Sequence, residues 1–243
     1  MKHLLIVGRP GVGKTTLMKR LTQALQGRPI DGFLTEELRE GEYRLGFWLS
    51  SLDGRQVLLA HRQFEGGVRV GPYRVNVAVL DEVAVSIVRR GMRHAFVLFL
   101  DELGKMALCS QSLQQAVREA FDRGPCIIAT AGTAPLPLVT SLKQRKDIEL
   151  IPLSMSNRAA VEEELVERLK ALCAEDVRVR ELQRRADRIC KMIVSGDVPQ
   201  IDIDIQQAAL REDVARVFPD RLSLYQVIYE SRFRRLWQQF RDH

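Results

Sequence analysis

Near the start of the chain, Leu4-Leu5-Ile6-Val7 runs into GRPGVGKTT, from Gly8 to Thr16, and a helix-compatible segment from Leu17 to Leu25 follows. The apolar run is too short for a helix, so the order is strand, glycine loop G-x4-G-K-T, helix, which is that of a phosphate-binding P-loop. Gly8, Gly11 and Gly13 free the backbone to point successive N–H groups at phosphate oxygens, with Arg9, Pro10 and Val12 between them. The helix starting near Lys14 aims its positive end at the same place. Lys14 is expected at the β- and γ-phosphates, Thr15 as a hydroxyl ligand of Mg²⁺, and Thr16 as a support of the loop from inside the helix.

A ligand of this charge has to be neutralised, and the chain's net charge of +6 is placed accordingly. Residues 1–150 carry 21 Lys and Arg against 15 Asp and Glu, whereas residues 151–243 carry 16 of each. The absence of a basic tail or stripe argues against a nucleic-acid partner. No apolar run approaches the length of a membrane span, and Lys2-His3 with the short apolar run after it is strand-length, not a signal peptide, so a cytoplasmic location without membrane contact is expected. Cys109, Cys126, Cys173 and Cys190 show no metal-ligand spacing and read as reduced, buried thiols.

Further along, Asp31 to Leu38 reads as a second strand with a polar end. Strand-like runs Tyr43–Ser51 and Gln56–His61 flank Leu52-Asp53-Gly54-Arg55, a hairpin signal, and glycines punctuate one more extended piece. Residues 30–75 are therefore expected as an antiparallel β insertion. Beyond it the elements alternate: a helix within Val77–Arg90, an apolar strand Ala95–Leu100, a helix capped by Ser110, a strand Cys126–Thr130, a strand Ile148–Leu153, and a helix capped by Ser156 or Asn157. Such alternation predicts an α/β fold, a mostly parallel sheet flanked by helices. The remainder is helical: Ala159 to about Ile193 with a break near Asp176, then Ile201–Val217 and Leu222–Phe240 after a linker at Ser195–Pro199. Tyr225, Ile228, Phe233, Leu236, Trp237 and Phe240 make an apolar stripe at helical spacing, expected to pack within the protein, with a partner-binding helix as the alternative.

The strand Ala95–Leu100 ends in Asp101-Glu102. Ligand sites of open parallel sheets lie at the carboxyl ends of strands, so this pair is expected beside the phosphates. Asp101 would hold Mg²⁺ through water, and Glu102 would polarise an attacking water. A second acid here favours water over a kinase substrate as the acceptor. For transition-state charge the candidate is Arg145, in Lys143-Gln-Arg-Lys-Asp147, because a guanidinium fork matches a γ-phosphate; Arg158 is the runner-up.

The set GRPGVGKTTL, GFLTEELREG, RVGPYRV, FLDELGKM and LKQRKDIEL…NR resembles, in order and spacing from Met1 to Leu172, the thermophilic NTPase family, also called cancer-related nucleoside triphosphatases. The resemblance implies a RecA-like P-loop NTPase core of the additional-strand class and Mg²⁺-dependent hydrolysis of ATP, GTP and other nucleoside triphosphates to the diphosphate and phosphate. It also implies nucleotide binding by Gly8 to Thr15 and by the stretch that includes Leu103, Gly104 and Lys105. Ala107, Ala159 and Pro72 depart from the family pattern, which has Glu after Met106, an acidic or amide residue after Arg158, and Lys. The domain reading is residues 1–172 as the triphosphatase core and 173–243 as a helical extension outside the resemblance. Two alternatives stand beside hydrolysis: a nucleoside or nucleotide kinase with an acceptor pocket under the β insertion, and a nucleotide switch that grips a protein partner through its helical tail.

Overall fold

In a computed structural model, which describes residues 2–241, the chain divides into one unit ending at Lys170 and one beginning at Ala171, two residues before the expected boundary. The first unit is built on a single sheet of nine strands: β1 (His3–Val7), β2 (Ile30–Glu40), β3 (Tyr43–Ser51), β4 (Gln56–His61), β5 (Val68–Val70), β6 (Tyr73–Val75), β7 (Val97–Leu100), β8 (Cys126–Ala131) and β9 (Ile148–Pro152). Their spatial order is β5-β6-β4-β3-β2-β7-β8-β1-β9. From β2 to β9 the pairings are parallel; from β2 to β5 they are antiparallel.

The parallel half explains the apolar runs. All four residues of β7 and the inner residues of β1 and β8 are buried, as strands covered on both faces require. Strand β8 stands between β1, which carries the glycine loop, and β7, which ends at Asp101; that intervening strand defines the additional-strand class. Helices α1 (Lys14–Ala24), α2 (Val85–His94, entered through a π-wound stretch Val79–Ala84), α3 (Gln111–Arg123) and α4 (Pro137–Lys143) flank the sheet. Ser110 caps α3 by accepting the Leu113 N–H, as its spacing predicts.

The β insertion is not a separate sheet. Residues Ile30–Phe33 of β2 pair in parallel with β7, and the same strand continues to pair with β3 in antiparallel fashion. The antiparallel strands therefore extend the core sheet, and a reading that began the insertion at residue 30 took in one core strand. The long polar end of β2 hid this, because its alternation suits a hairpin arm.

His3, at the start of β1, accepts the Ile127 N–H at Nδ1 over 3.1 Å and meets the Phe121 ring edge-on. Burial lowers its pKa from 6.5, the nearby Arg145 lowers it too, and Asp147 opposes them. A group whose pKa is lower folded than unfolded favours folding above the unfolded value and loses that contribution as pH falls. The thermal midpoint should therefore drop between pH 7.5 and pH 5.5, and less so in His3→Asn, whose Oδ1 stands in the place of Nδ1 and can accept the same N–H; equal drops in the two proteins would remove His3 from the explanation.

Helix α5 (Arg158–Ser195) starts in the first unit and ends in the second. It is not capped by Ser156 or Asn157 side chains. Instead Ser154 and Asn157 bond reciprocally, the Ser154 N–H to Asn157 Oδ1 at 2.8 Å and the Asn157 N–H to Ser154 Oγ at 3.3 Å. The expected break near Asp176 does not occur either: no Gly or Pro interrupts α5, and Asp176 pairs with Arg180 one turn on, at 2.7 Å. The second unit adds α6 (Gln200–Val217), α7 (Leu222–Tyr225), a π-wound stretch Gln226–Glu230 and α8 (Ser231–Phe240). Its own core joins Ile189, Ile193, Ile203 and Leu210 to Tyr225 and Phe233 of the apolar stripe, with Leu236 and Trp237 packed alongside. Ile228 and Phe240 of that stripe stay exposed. Cys173 and Cys190 are buried, whereas Cys109 and Cys126 are only partly covered. Among the described residues no helix is long and apolar enough to cross a membrane.

Candidate functional site

The loop Gly8–Gly13 leaves the carboxyl end of β1 and turns into α1 through Gly13, whose φ of +98° lies in the left-handed region that glycine adopts without strain. A side chain at Gly8 would meet the Leu153 carbonyl oxygen at 2.6 Å, so only glycine lets the loop start against the end of β9. Lys14 folds back across this loop. Its Nζ donates to the carbonyls of Gly8 and Arg9, each at 3.1 Å, and the residue is only 8% exposed.

Asp101, at the end of β7, ties four segments together. Its Oδ2 accepts from Thr15 Oγ1 at 2.7 Å and from the Thr35 N–H at 3.2 Å, and its Oδ1 accepts from Thr130 Oγ1 at 2.7 Å. The Thr35 hydroxyl also reaches the Asp101 carbonyl at 3.4 Å. Asp101 is fully buried, and that burial raises its pKa despite the opposing hydrogen bonds from Thr130, Thr15 and Thr35 and the charge of Lys14.

Glu102 is placed differently. Its N–H donates to Thr130 Oγ1 at 2.7 Å, its side chain is exposed, and it is the one non-glycine residue among those described with positive φ, at +57°. Left-handed backbone at a bulky residue costs about 1–3 kcal/mol and collects at working sites. Here it turns two consecutive carboxylates apart, one into the protein and one outward. The surrounding protein and then the Asp101 charge raise the Glu102 pKa, while Lys14 lowers it.

The geometry thus brings together Gly8 to Thr15, Asp101 and Glu102. Leu103 is buried in the core, so its role is to anchor the turn, whereas Gly104 and Lys105 line a cavity beside Glu102. Thr16 lies in α1 as expected, but its side chain is exposed and lines a recess shared with Gly13, Arg20, Arg158 and Ala159. Arg145 is not at the site. It pairs with Asp147 at 2.7 Å and with Asp122, and donates to the Phe121 carbonyl at 2.9 Å, at the amino ends of β1 and β9, whereas the glycine loop follows the carboxyl end of β1. Its guanidinium is consumed in structural pairing, and the candidate arginine beside the loop is Arg158. Of the departures from the family pattern, Ala107 lies in the cavity wall, Ala159 beside Arg158, and Pro72 in the exposed turn between β5 and β6.

Thr35 and Thr130 were not singled out from the sequence. Both are polar residues on strands of the sheet, and Thr130 lies near the carboxyl end of a strand that is otherwise apolar; that position, facing the ligand side, is the signal that could have found it.

A second recess, of about 670 Å³, lies between the loop residues Arg9, Pro10 and Val12, Thr133, and residues 152–155, from the last residue of β9 onward. Its walls are mostly apolar, and the Ser154 hydroxyl there is already engaged by the Asn157 N–H.

A family model described as NTPase matches residues 3–166. The chain is 40% identical over 167 residues to nucleoside-triphosphatase THEP1 of Thermotoga maritima, a match covering 69% of this chain and 95% of that protein. It is 36% identical to the human cancer-related nucleoside-triphosphatase, over 65% of this chain and 90% of that one. Among solved structures, the crystal structure of THEP1 from Aquifex aeolicus superposes with a TM-score of 0.62 at 34% identity, covering 67% of this chain and 96% of that chain.

Proposed function

The chain belongs to the NTPase family, and we propose that it hydrolyses nucleoside triphosphates to the diphosphate and phosphate with Mg²⁺ bound. The observation that carries this reading is the 2.7 Å contact between Thr15 on the loop's helix and Asp101 on β7, with Glu102 turned outward beside it. A hydroxyl and one carboxylate oxygen suit Mg²⁺, a hard cation that takes one or two protein oxygens together with phosphate and water. No cluster of three His, Cys, Asp or Glu that would favour another metal occurs among the described residues. Bound Mg²⁺ would neutralise charge on the β- and γ-phosphates.

The protein's own groups do the rest. Lys14 exchanges the two loop carbonyls for phosphate oxygens, and the first N–H groups of α1 face the same anion. Glu102 orients a water in line with the γ-phosphorus and takes its proton. Arg158, in the recess beside Gly13 and Thr16, lies on the side of the helix start and adds positive charge there.

The apolar recess by Pro10 and Met155 suits the nucleobase, and it offers few free side-chain groups to read a base edge. A site built on such hydrogen bonds rejects wrong substrates by about 10⁴-fold or more, whereas apolar contacts discriminate by roughly 10–200-fold. Phosphate release from ATP, GTP, CTP and UTP should therefore show kcat/KM values within about a hundredfold of one another, all abolished by EDTA and restored by excess Mg²⁺. Activity that survives EDTA, or strict use of a single base, would contradict this reading. We place the protein in the cytoplasm, where nucleoside triphosphates and Mg²⁺ are both available to such a site.

A further inference from the structure

On the side of Glu102 the site opens into another cavity, of about 270 Å³, under the antiparallel half of the sheet. Phe33, Phe47, Leu49 and Leu59 form its floor, and Leu80 enters from the π-wound stretch before α2, a local widening of the kind that recurs at functional sites. Its polar side chains are those of Thr35, whose N–H bonds Asp101, of Glu102 next to Asp101 in the chain, and of Lys105 three residues on. An attacking water takes up about 30 Å³, so hydrolysis alone uses a small part of this space. A nucleoside or nucleotide acceptor fits poorly. It would need cationic groups for phosphate or hydrogen-bonding groups for a base, and the lining provides one cation, Lys105.

We propose that this cavity is an acceptor site for a small, mostly apolar alcohol, to which the protein transfers the γ-phosphoryl group, water reacting in its place when no alcohol is bound. The apolar body lies on the floor, and the hydroxyl points to the polar end, where Glu102 sits. A bond forms between the alcohol oxygen and the γ-phosphorus as the bond from that phosphorus to the β,γ-bridging oxygen breaks. The electron pair leaves on the nucleoside diphosphate, and the hydroxyl proton passes to solvent by way of the Glu102 carboxylate. The products are a phosphate monoester and the diphosphate, with no oxidant or reductant involved. The inference rests on nucleotide use at the neighbouring loop, and the test separates the two.

The full chain is incubated with Mg-ATP and millimolar 2-phenylethanol, benzyl alcohol or 3-methylbutan-1-ol, and the products are resolved by phosphorus NMR, which distinguishes a monoester from free phosphate. A monoester is expected with at least one alcohol, rising at the expense of free phosphate as alcohol increases, and absent when ethylbenzene replaces 2-phenylethanol. Val70→Trp, which fills the cavity from the edge strand β5, should lose the monoester and keep phosphate release without alcohol. Leu136→Trp, on another wall, serves if the first variant does not fold. Free phosphate alone with all three alcohols, at an unchanged rate, overturns the acceptor site and leaves hydrolysis standing. Monoester undiminished in both Trp variants overturns its assignment to this cavity. No consumption of ATP under any condition overturns both readings.

Discussion

Lys14→Ala should leave a folded protein that no longer retains Mg-nucleoside triphosphate. In the structure the Lys14 ammonium reaches only the Gly8 and Arg9 carbonyls, and these are the groups it must leave to meet phosphate. It forms no ion pair among the described residues, and the buried Asp101 whose charge it offsets keeps its hydrogen bonds from Thr15, Thr35 and Thr130, while the core on which α1 rests (Leu17, Met18 and Leu21) is untouched. Hydrogen bonds to charged groups contribute about 1.5–3 kcal/mol each, so losing a lysine that contacts two phosphates weakens binding by at least about a hundredfold. Titration with a fluorescent triphosphate analogue, alongside a thermal melt, checks both halves of the statement. A folded variant with parental affinity would mean that the loop does not bind phosphate.

The larger effect on turnover is expected at Glu102. Gln there keeps the shape and can still hold a water, but it cannot accept the proton. General-base assistance is typically worth about 10²–10⁴ in rate, so Glu102→Gln should lose hydrolysis by roughly two orders of magnitude or more. Binding should persist, because the Glu102 side chain points away from the Thr15–Asp101 pair, whose contacts are made by Thr130, Thr35 and Thr15 alone. Loss of binding together with turnover would instead assign Glu102 to the metal or to packing.

How much of this was legible before folding varied with the physics involved. The glycine loop and the acid pair are local: a strand, a turn and a helix start fix the first, and the end of an apolar strand fixes the second, so their placement at one end of the sheet was legible from spacing alone. Arg145 shows the limit. Its sequence neighbourhood suits a phosphate-seeking arginine, but which end of the sheet a loop occupies depends on the direction in which the chain crosses, and α4 delivers Arg145 to the amino ends of the strands. Thr35 escaped for a related reason. It meets Asp101 only because β2 lies beside β7, a pairing between segments 66 residues apart. The continuous α5 was missed because an acidic residue reads as a local breaker unless its partner a turn later is counted. A pocket under the β insertion entered the sequence reading only as something a kinase would need; its size and its apolar lining follow from the packing of β2–β4, which no single segment encodes.

The most direct test of the site as a hydrolase joins two measurements on one preparation of Glu102→Gln: Mg-ATP affinity by titration, and phosphate release under single-turnover conditions with protein in excess. Single turnover removes product release from the rate and isolates the step in which Glu102 acts. The arrangement of Asp101 inward and Glu102 outward predicts affinity close to that of the parent with phosphate release slower by about 10²-fold or more. Parental affinity with release slowed less than about tenfold would contradict it, because the outward carboxylate would then not be the group that activates water.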